Sequence, residues 1–276
     1  MPETATHRIR LGAFDCLVVK DGTESRPDVS QYVASVPEEI SGYAVYMLGG
    51  LMLVDSPERR ILVDSGNGPE RGPRSHAAEA SFDVEGIAPE TIDTILLTHG
   101  DPDHIMGLLT AAGDPVYPNA TYFLHRDLQD AWRAPPGAGL YFPGQASFVR
   151  QLAAVVADRC MLFDAEEELF PGVRAVPAPG HRVGHTAYLF ESQGQKLLHI
   201  GDSAFDPVFL ERTDLVNTHD TDPERGRTSR RALADRAIKE DALVAASHFR
   251  LPAVGTLTQA GEDRYTWTPI VAQERN

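Results

Sequence analysis

Histidine and aspartate crowd one short stretch of this chain, Thr98-His99-Gly100-Asp101-Pro102-Asp103-His104. It follows an apolar run, Thr91 to Thr98, that reads as a strand. A strand ending in a tight Gly/Pro loop can turn neighbouring side chains onto one point. Taken alone, the stretch reads first as a polar turn in which His104 caps the next helix. Three more clusters weigh against that reading. Pro179-Gly180-His181-Arg182-Val183-Gly184-His185 places two imidazoles on a turn before a strand. Gly201-Asp202-Ser203 puts a carboxylate at another strand end, and Ala246-Ser247-His248 an imidazole at a third. Imidazole with carboxylate, and no thiolate, suits Zn, Fe or Mn. Donors of this number, all at strand ends, would make a two-metal site with a shared carboxylate.

The elements that must position these donors are short. Leu17 to Val19, Ala44 to Leu48, Leu51 to Asp55 and Arg60 to Asp64 are apolar, β-branched and broken by Gly, Asp or Pro, which predicts an antiparallel meander. Val173 to Val176, Thr186 to Phe190, Lys196 to Ile200 and Ala242 to Ala246 read as further strands. Helical spacing marks His104 to Ala112, Phe148 to Asp158 and Ser229 to Glu240, the last as a solvated amphipathic helix. Arg60-Ile61-Leu62-Val63-Asp64-Ser65 echoes Lys196-Leu197-Leu198-His199-Ile200-Gly201-Asp202-Ser203. Each is a turn, an apolar strand and an Asp-Ser at its end. The echo predicts two similar β/α halves packed sheet on sheet, with helices outside.

In order and spacing the donors resemble the metallo-β-lactamase superfamily. Its signature is His-x-His-x-Asp-His, then a Pro-Gly-His-Thr-x-Gly-His turn, a bridging Asp and a last His. The resemblance covers the chain and implies an α/β fold, a four-layer αββα sandwich, with 1–276 as a single metallo-β-lactamase-like domain built from two β/α halves. Carried over residue by residue, it implies one metal site from His99, Asp101 and His181, a second from Asp103, His104 and His248, and Asp202 between them. Val63-Asp64-Ser65-Gly66 is similar to the family's Val-Asp-Thr-Gly, which implies that Asp64 supports the site from behind the ligands. His185 is expected in such a supporting role too. The tail, from Asp220-Thr221-Asp222-Pro223 to Ser247-His248-Phe249-Arg250-Leu251-Pro252, looks like the branch holding methyl parathion hydrolase and N-acyl homoserine lactonases. Gly261 to Trp267 would be that branch's terminal hairpin.

Two departures from the pattern bear on the chemistry. Asp101 stands where the signature has its second His, which adds a negative charge and a hard oxygen donor. That favours Mn or Fe relative to Zn, and the family's flavodiiron proteins also carry a carboxylate here and bind iron. Two divalent ions are expected, with filling of the Asp103 site alone as the alternative. Phe205 takes the place of the lactonases' Tyr and cannot donate a proton. His219 and Asp206 are nearby candidates for that task.

The expected function is hydrolysis of a small ester, lactone or phosphotriester by a water bridging two metals, with Asp103 orienting it. The alternatives are an iron-dependent redox or oxygenase enzyme, and a non-catalytic binding protein on a degraded site. The expected partners are a small-molecule substrate and, as in many relatives, a second copy in a homodimer. With 276 residues and a formal charge of −15, the chain has no basic field for nucleic acid or an anionic membrane. Met1 to Arg8 lacks the apolar core of a secretory signal, and Cys16 and Cys160 form no zinc spacing, so a cytoplasmic protein with free thiols is expected. His199 reads as a core or edge residue, and His7, His76 and His125 as surface. Residues 67–85 read as a polar loop, a flap over the site or a dimer contact. Trp132, Tyr141 and Phe142 lie at or within a Pro/Gly-rich stretch, Ala134 to Gly144, that would line a pocket or cap the core.

Overall fold

The computed structural model describes residues 6–68, 77–135 and 144–270. Two seven-stranded sheets face each other. The first runs, in spatial and chain order, β1 (Thr6–Leu11), β2 (Phe14–Ser25), β3 (Met47–Asp55), β4 (Arg60–Val63), β5 (Thr94–Leu96), β6 (Thr121–His125) and β7 (Cys160–Phe163). The second holds β8 (Glu167–Phe170), β9 (Val173–Pro177), β10 (Thr186–Ser192), β11 (Gln195–His199), β12 (Ala242–Ala245), β13 (Val254–Gly261) and β14 (Arg264–Pro269). β1 to β4 pair antiparallel, and β4 to β7 parallel. In the second sheet only the β11–β12 pairing is parallel.

Period-two side-chain alternation explains the layers. Cys16, Val18, Met52, Val54, Ile61, Val63, Leu96 and Phe123 join the core shared with the second sheet. Their neighbours Leu17, Val19, Leu51, Leu53, Leu62, Ile95, Tyr122 and Leu124 point the other way. There they meet α1 (Ala77–Glu85), α3 (Arg126–Arg133) and α4 (Ala146–Val155) through Ala78, Phe82, Leu128, Trp132, Val149 and Leu152. α5 (Pro207–Glu211) and α6 (Pro223–Lys239) cover the second sheet with Val208, Phe209, Leu233, Ala234 and Ala237. Both faces of both sheets are thus covered, which is the expected αββα sandwich.

β4 and β11, the two echoed strands, occupy the same place: each is the fourth of its sheet and each has a parallel neighbour. Several expectations need correction. Ala44 to Leu48 and Leu51 to Asp55 belong largely to one strand, because Gly49 and Gly50 continue β3 rather than break it. The helix expected over His104 to Ala112 is only α2 (Pro102–Ile105), followed by a single 3-10 turn at Met106–Leu108, since Gly107 lies against Ser65. Residues 77–85 are a helix rather than loop, with Ala78 and Phe82 buried on the sheet. Residues 69–76 of that loop, His76 among them, and Tyr141 and Phe142 lie outside the described residues. The hairpin at Gly261 forms as expected. No helix among the described residues is long and apolar enough to cross a membrane. Both cysteines are free, Cys16 buried and Cys160 partly so.

Candidate metal centre

The chemistry-bearing loops lie at one end of the sandwich. Asp64 ends β4, residues 97–104 follow β5, Asp202 follows β11 and His248 follows β12. The turn at residues 178–185 enters β10, which is antiparallel to β11, so it arrives at the same end. Pro102 at the first helical position starts α2, whose one turn carries Asp103 and His104. Asp64 adopts φ 60, a rare conformation for a residue with a Cβ. Thr98 holds it there, donating N–H to Oδ1 and its hydroxyl to Oδ2, both at 2.8 Å.

Within this end, imidazoles and carboxylates converge in three overlapping groups: His99, Asp101 and His181; His99, His104 and Asp202; Asp103, His104 and His248. In each group one donor atom per residue lies within 4.8 Å of the others. Asp101 Oδ2 is 3.7 Å from His99 Nε2 and 3.6 Å from His181 Nε2. Asp103 Oδ2 is 3.8 Å from His104 Nε2 and 3.6 Å from His248 Nε2. Asp202 stands between: Oδ1 is 3.4 Å from His104, while Oδ2 is 3.8 Å from His99, 3.6 Å from His181 and 3.0 Å from His248. All seven residues proposed by the signature therefore meet.

The donors fit metal ions on a physical test. His99 Nε2, His104 Nε2, His181 Nε2 and Asp202 Oδ1 are buried and, among the described residues, have no hydrogen-bond partner. Leaving several buried polar atoms unpaired is costly unless a cation satisfies them together. Burial pushes Asp101 and Asp202 toward the neutral form, but His181 and His99 beside Asp101, and His248 and His104 beside Asp202, outweigh it. Both carboxyls are held below the usual carboxylate range and are anionic.

The opposite ring nitrogens are engaged. His104 Nδ1 is 2.7 Å from Asp64 Oδ2, and His181 Nδ1 is 3.0 Å from Asp220 Oδ1. A carboxylate at Nδ1 keeps the proton there and turns the Nε2 lone pair toward the site. His185 accepts Asp202 N–H at Nε2 (3.1 Å) and pairs with Ala178 O through Nδ1 (3.0 Å). Burial, with His99 and His181 nearby, keeps it neutral, so it positions the Asp202 backbone.

Other expectations sort themselves by packing. Phe205 stands edge-on to His181 (5.3 Å) and His248 (5.4 Å), an apolar wedge against the donor set. Asp206 caps α5, accepting from Val208 N, Tyr43 Oη and Tyr46 N, so its carboxylate is spent on structure. His219 is exposed, its ring 4.7 Å from that of Tyr32. His199 is a core residue, pushed down to about 4 by burial. His125 is not a surface residue: it is buried and caps α3 by accepting from Asp127 N. His7 is half-buried on β1. Trp132 is a core residue of the first sheet's helical layer.

Four contributors escaped the sequence reading. Asp220 lies behind His181. Arg230, fully buried in α6, binds Asp220, Ser203 O and Leu215 O. Arg182 donates Nε–H to Asp101 Oδ1 at 2.8 Å. Lys20 is buried, donates to Ser247 O at 2.9 Å and is pushed down to about 7 by burial against the pull of Asp202. Arg182 alone left a mark in the motif, standing where the turn signature has Thr.

Comparison with known proteins agrees with this geometry. A family model described as the metallo-beta-lactamase superfamily matches residues 51–248. Among solved structures, AidC, a dizinc quorum-quenching lactonase, superposes with a TM-score of 0.84 at 21% identity, over 99% of this chain and 100% of AidC. AbOPH, a hydrolase in the beta lactamase superfamily, gives 0.85 at 22%, over 99% and 100%. A probable metal-dependent hydrolase from Staphylococcus aureus gives 0.75 at 18%, over 97% and 100%. At these identities the likeness is one of fold.

Proposed function

The chain belongs to the metallo-beta-lactamase superfamily, and from that premise we propose that it is a metal-dependent hydrolase acting on a small ester, lactone or phosphotriester. The observation that carries this reading is the set of buried, unpaired imidazole nitrogens converging around Asp202. His99, Asp101 and His181 would hold one divalent ion, Asp103, His104 and His248 another, and Asp202 would bridge them. Such a pair supplies a water ionised near neutral pH and polarises the substrate's carbonyl or phosphoryl oxygen.

The chain's own groups do the rest. Asp64 and Asp220 keep His104 and His181 in the tautomer that presents Nε2. Of the three carboxylates, Asp103 is the most exposed, at 25% against 10% for Asp101 and 4% for Asp202. It is therefore the one placed to orient the attacking water toward an incoming substrate. Phe205, packed against Tyr32, gives the site an apolar wall. Phe205 offers no proton to a departing alkoxide. Leaving groups stable as anions, such as those of aryl esters and aryl phosphotriesters, fit this wall better than alkyl lactones do. The structural likeness to AidC, a lactonase, keeps lactones in the substrate panel.

Metal content of the purified protein, followed by a panel of aryl esters, phosphotriesters and N-acyl homoserine lactones, tests the proposal. Two Zn or Mn per chain with hydrolysis is the expected outcome. His104→Ala and Asp202→Asn should each lose metal and at least a hundredfold in kcat/KM, whereas full retention of both would refute the assignment. A second reading, an iron enzyme of redox chemistry, is favoured by the hard oxygen of Asp101 alone. Iron content with oxygen consumption would support it instead.

A further inference from the structure

We propose that Arg182 is the positioning residue for the His99–Asp101–His181 metal site, and that it offsets the charge which Asp101 adds there. The inference rests on the metal-site reading above.

Arg182 divides the Asp101 carboxylate. Nε–H takes Oδ1 at 2.8 Å, which leaves Oδ2 facing His99 and His181 at 3.7 and 3.6 Å. Asp101 is thereby set to offer a single oxygen where the family signature has a single imidazole nitrogen. The guanidinium is itself fixed, because Nη1 donates to His181 O at 2.9 Å and to His219 O at 2.6 Å. One side chain thus ties the α2 loop to the turn carrying His181 and to the segment before α6. The three carboxylates Asp101, Asp103 and Asp202 sum to −3, and Arg182 brings the cluster to −2, the value of a set with His in place of Asp101. The pair is only slightly exposed, 19% for Arg182 and 10% for Asp101, so solvent screens it less than a surface ion pair. The planar guanidinium spreads these three contacts over two nitrogens held in one plane, a geometry that the single nitrogen of Lys does not reproduce. Asp101 and Arg182 stand at the two positions where this chain departs from the signature's second His and its Thr. Each substitution makes sense in the presence of the other.

The test is a double-mutant cycle read on metal binding rather than turnover. Arg182→Met, Arg182→Lys, Asp101→His and Asp101→His/Arg182→Met proteins are titrated with Zn and Mn against a chromophoric chelator, with circular dichroism as the control for folding. Arg182→Met should weaken one of the two ions by about 10–100-fold, the loss usual for a group that orients a ligand, and leave the other unchanged. Arg182→Lys should recover part of that loss. In the Asp101→His background the same Arg182→Met change should cost little, because there is no carboxylate left to orient or neutralise. Equal losses in both backgrounds would show that Arg182 merely holds loops together, and unchanged binding in Arg182→Met would also overturn the inference. If the unsubstituted protein binds no metal, the metal-site reading itself fails, an outcome separate from either of these.

Discussion

At the residue scale, the site is a set of donors whose chemistry depends on what stands behind each one. Imidazole has two nitrogens, and only a partner at Nδ1 decides which faces the metal. Asp64 and Asp220 supply that partner for His104 and His181. Lys20 is a residue of another kind, an ammonium buried between the sheets with Ser247 O as its hydrogen-bond partner. Burial, against the pull of Asp202, brings it to about 7 from its ordinary 10.5. Between these values the unfolded chain binds the extra proton, so stability should rise with pH across the window and fall as pH drops toward 7. The contribution to the slope is at most about 1.4 kcal/mol per pH unit. Urea unfolding at pH 7, 8 and 9 should show this rise in the unsubstituted protein and a flatter profile in Lys20→Met. Equal slopes would place the ammonium in a better solvated setting than its burial implies.

At the scale of elements, close backbone approaches set the loops that carry the donors. Ser65 donates both N–H and Oγ–H to His104 O at 2.9 Å, which docks the β4 end on α2. Gly107 makes this approach possible, since a Cβ there would lie 2.0 Å from Ser65 O. That oxygen and its carbonyl carbon, at 2.9 Å, are backbone and cannot swing aside. Gly107→Ala should therefore cost about 1–3 kcal/mol, the range for forced overpacking, and should push α2, with Asp103 and His104, away from Asp202. A lowered Tm with weakened binding of one metal ion is the expected result, and a variant with unchanged Tm and stoichiometry would show that the turn relaxes freely. The same contact accounts for the shortness of α2: the apolar spacing after His104 continues, but the chain must leave the helix to pass Ser65.

At the scale of the whole molecule, the donors come from both sheets. His99, Asp101, Asp103 and His104 belong to the loop after β5, while His181, Asp202 and His248 belong to the ends of β10, β11 and β12. Ions held between them would cross-link the two halves, and binding to the folded state alone stabilises it. With free metal a hundredfold above its Kd, each site adds ~2.7 kcal/mol, roughly 5 °C in Tm for a chain of this size. Removal of both ions by EDTA should lower the Tm by about twice that, and readdition should restore it. A Tm indifferent to EDTA, with metal demonstrably removed, would mean that the sheets hold the site fully formed without help.

Much of the molecule was legible in residue order. The donor types are properties of single residues and the strands are local apolar runs, so both could be read without coordinates; the resemblance in order and spacing then implied which seven residues converge and the sandwich that carries them. The echo of Arg60–Ser65 in Lys196–Ser203, read as a sign of two similar halves, falls on the fourth strand of each sheet. Short or charged elements were harder. α3, rich in Arg and Asp, and α1, hidden in a polar stretch, became helices because the first sheet's outer face needed covering. What only the tertiary structure decided is the environment of each donor: Asp220 behind His181, Arg182 on Asp101, Lys20 beneath Ser247, Phe205 against two imidazoles. These pairs are distant in sequence or differ in type from anything the motif names. Their contact depends on how two sheets pack and where their loops end, which no local pattern encodes.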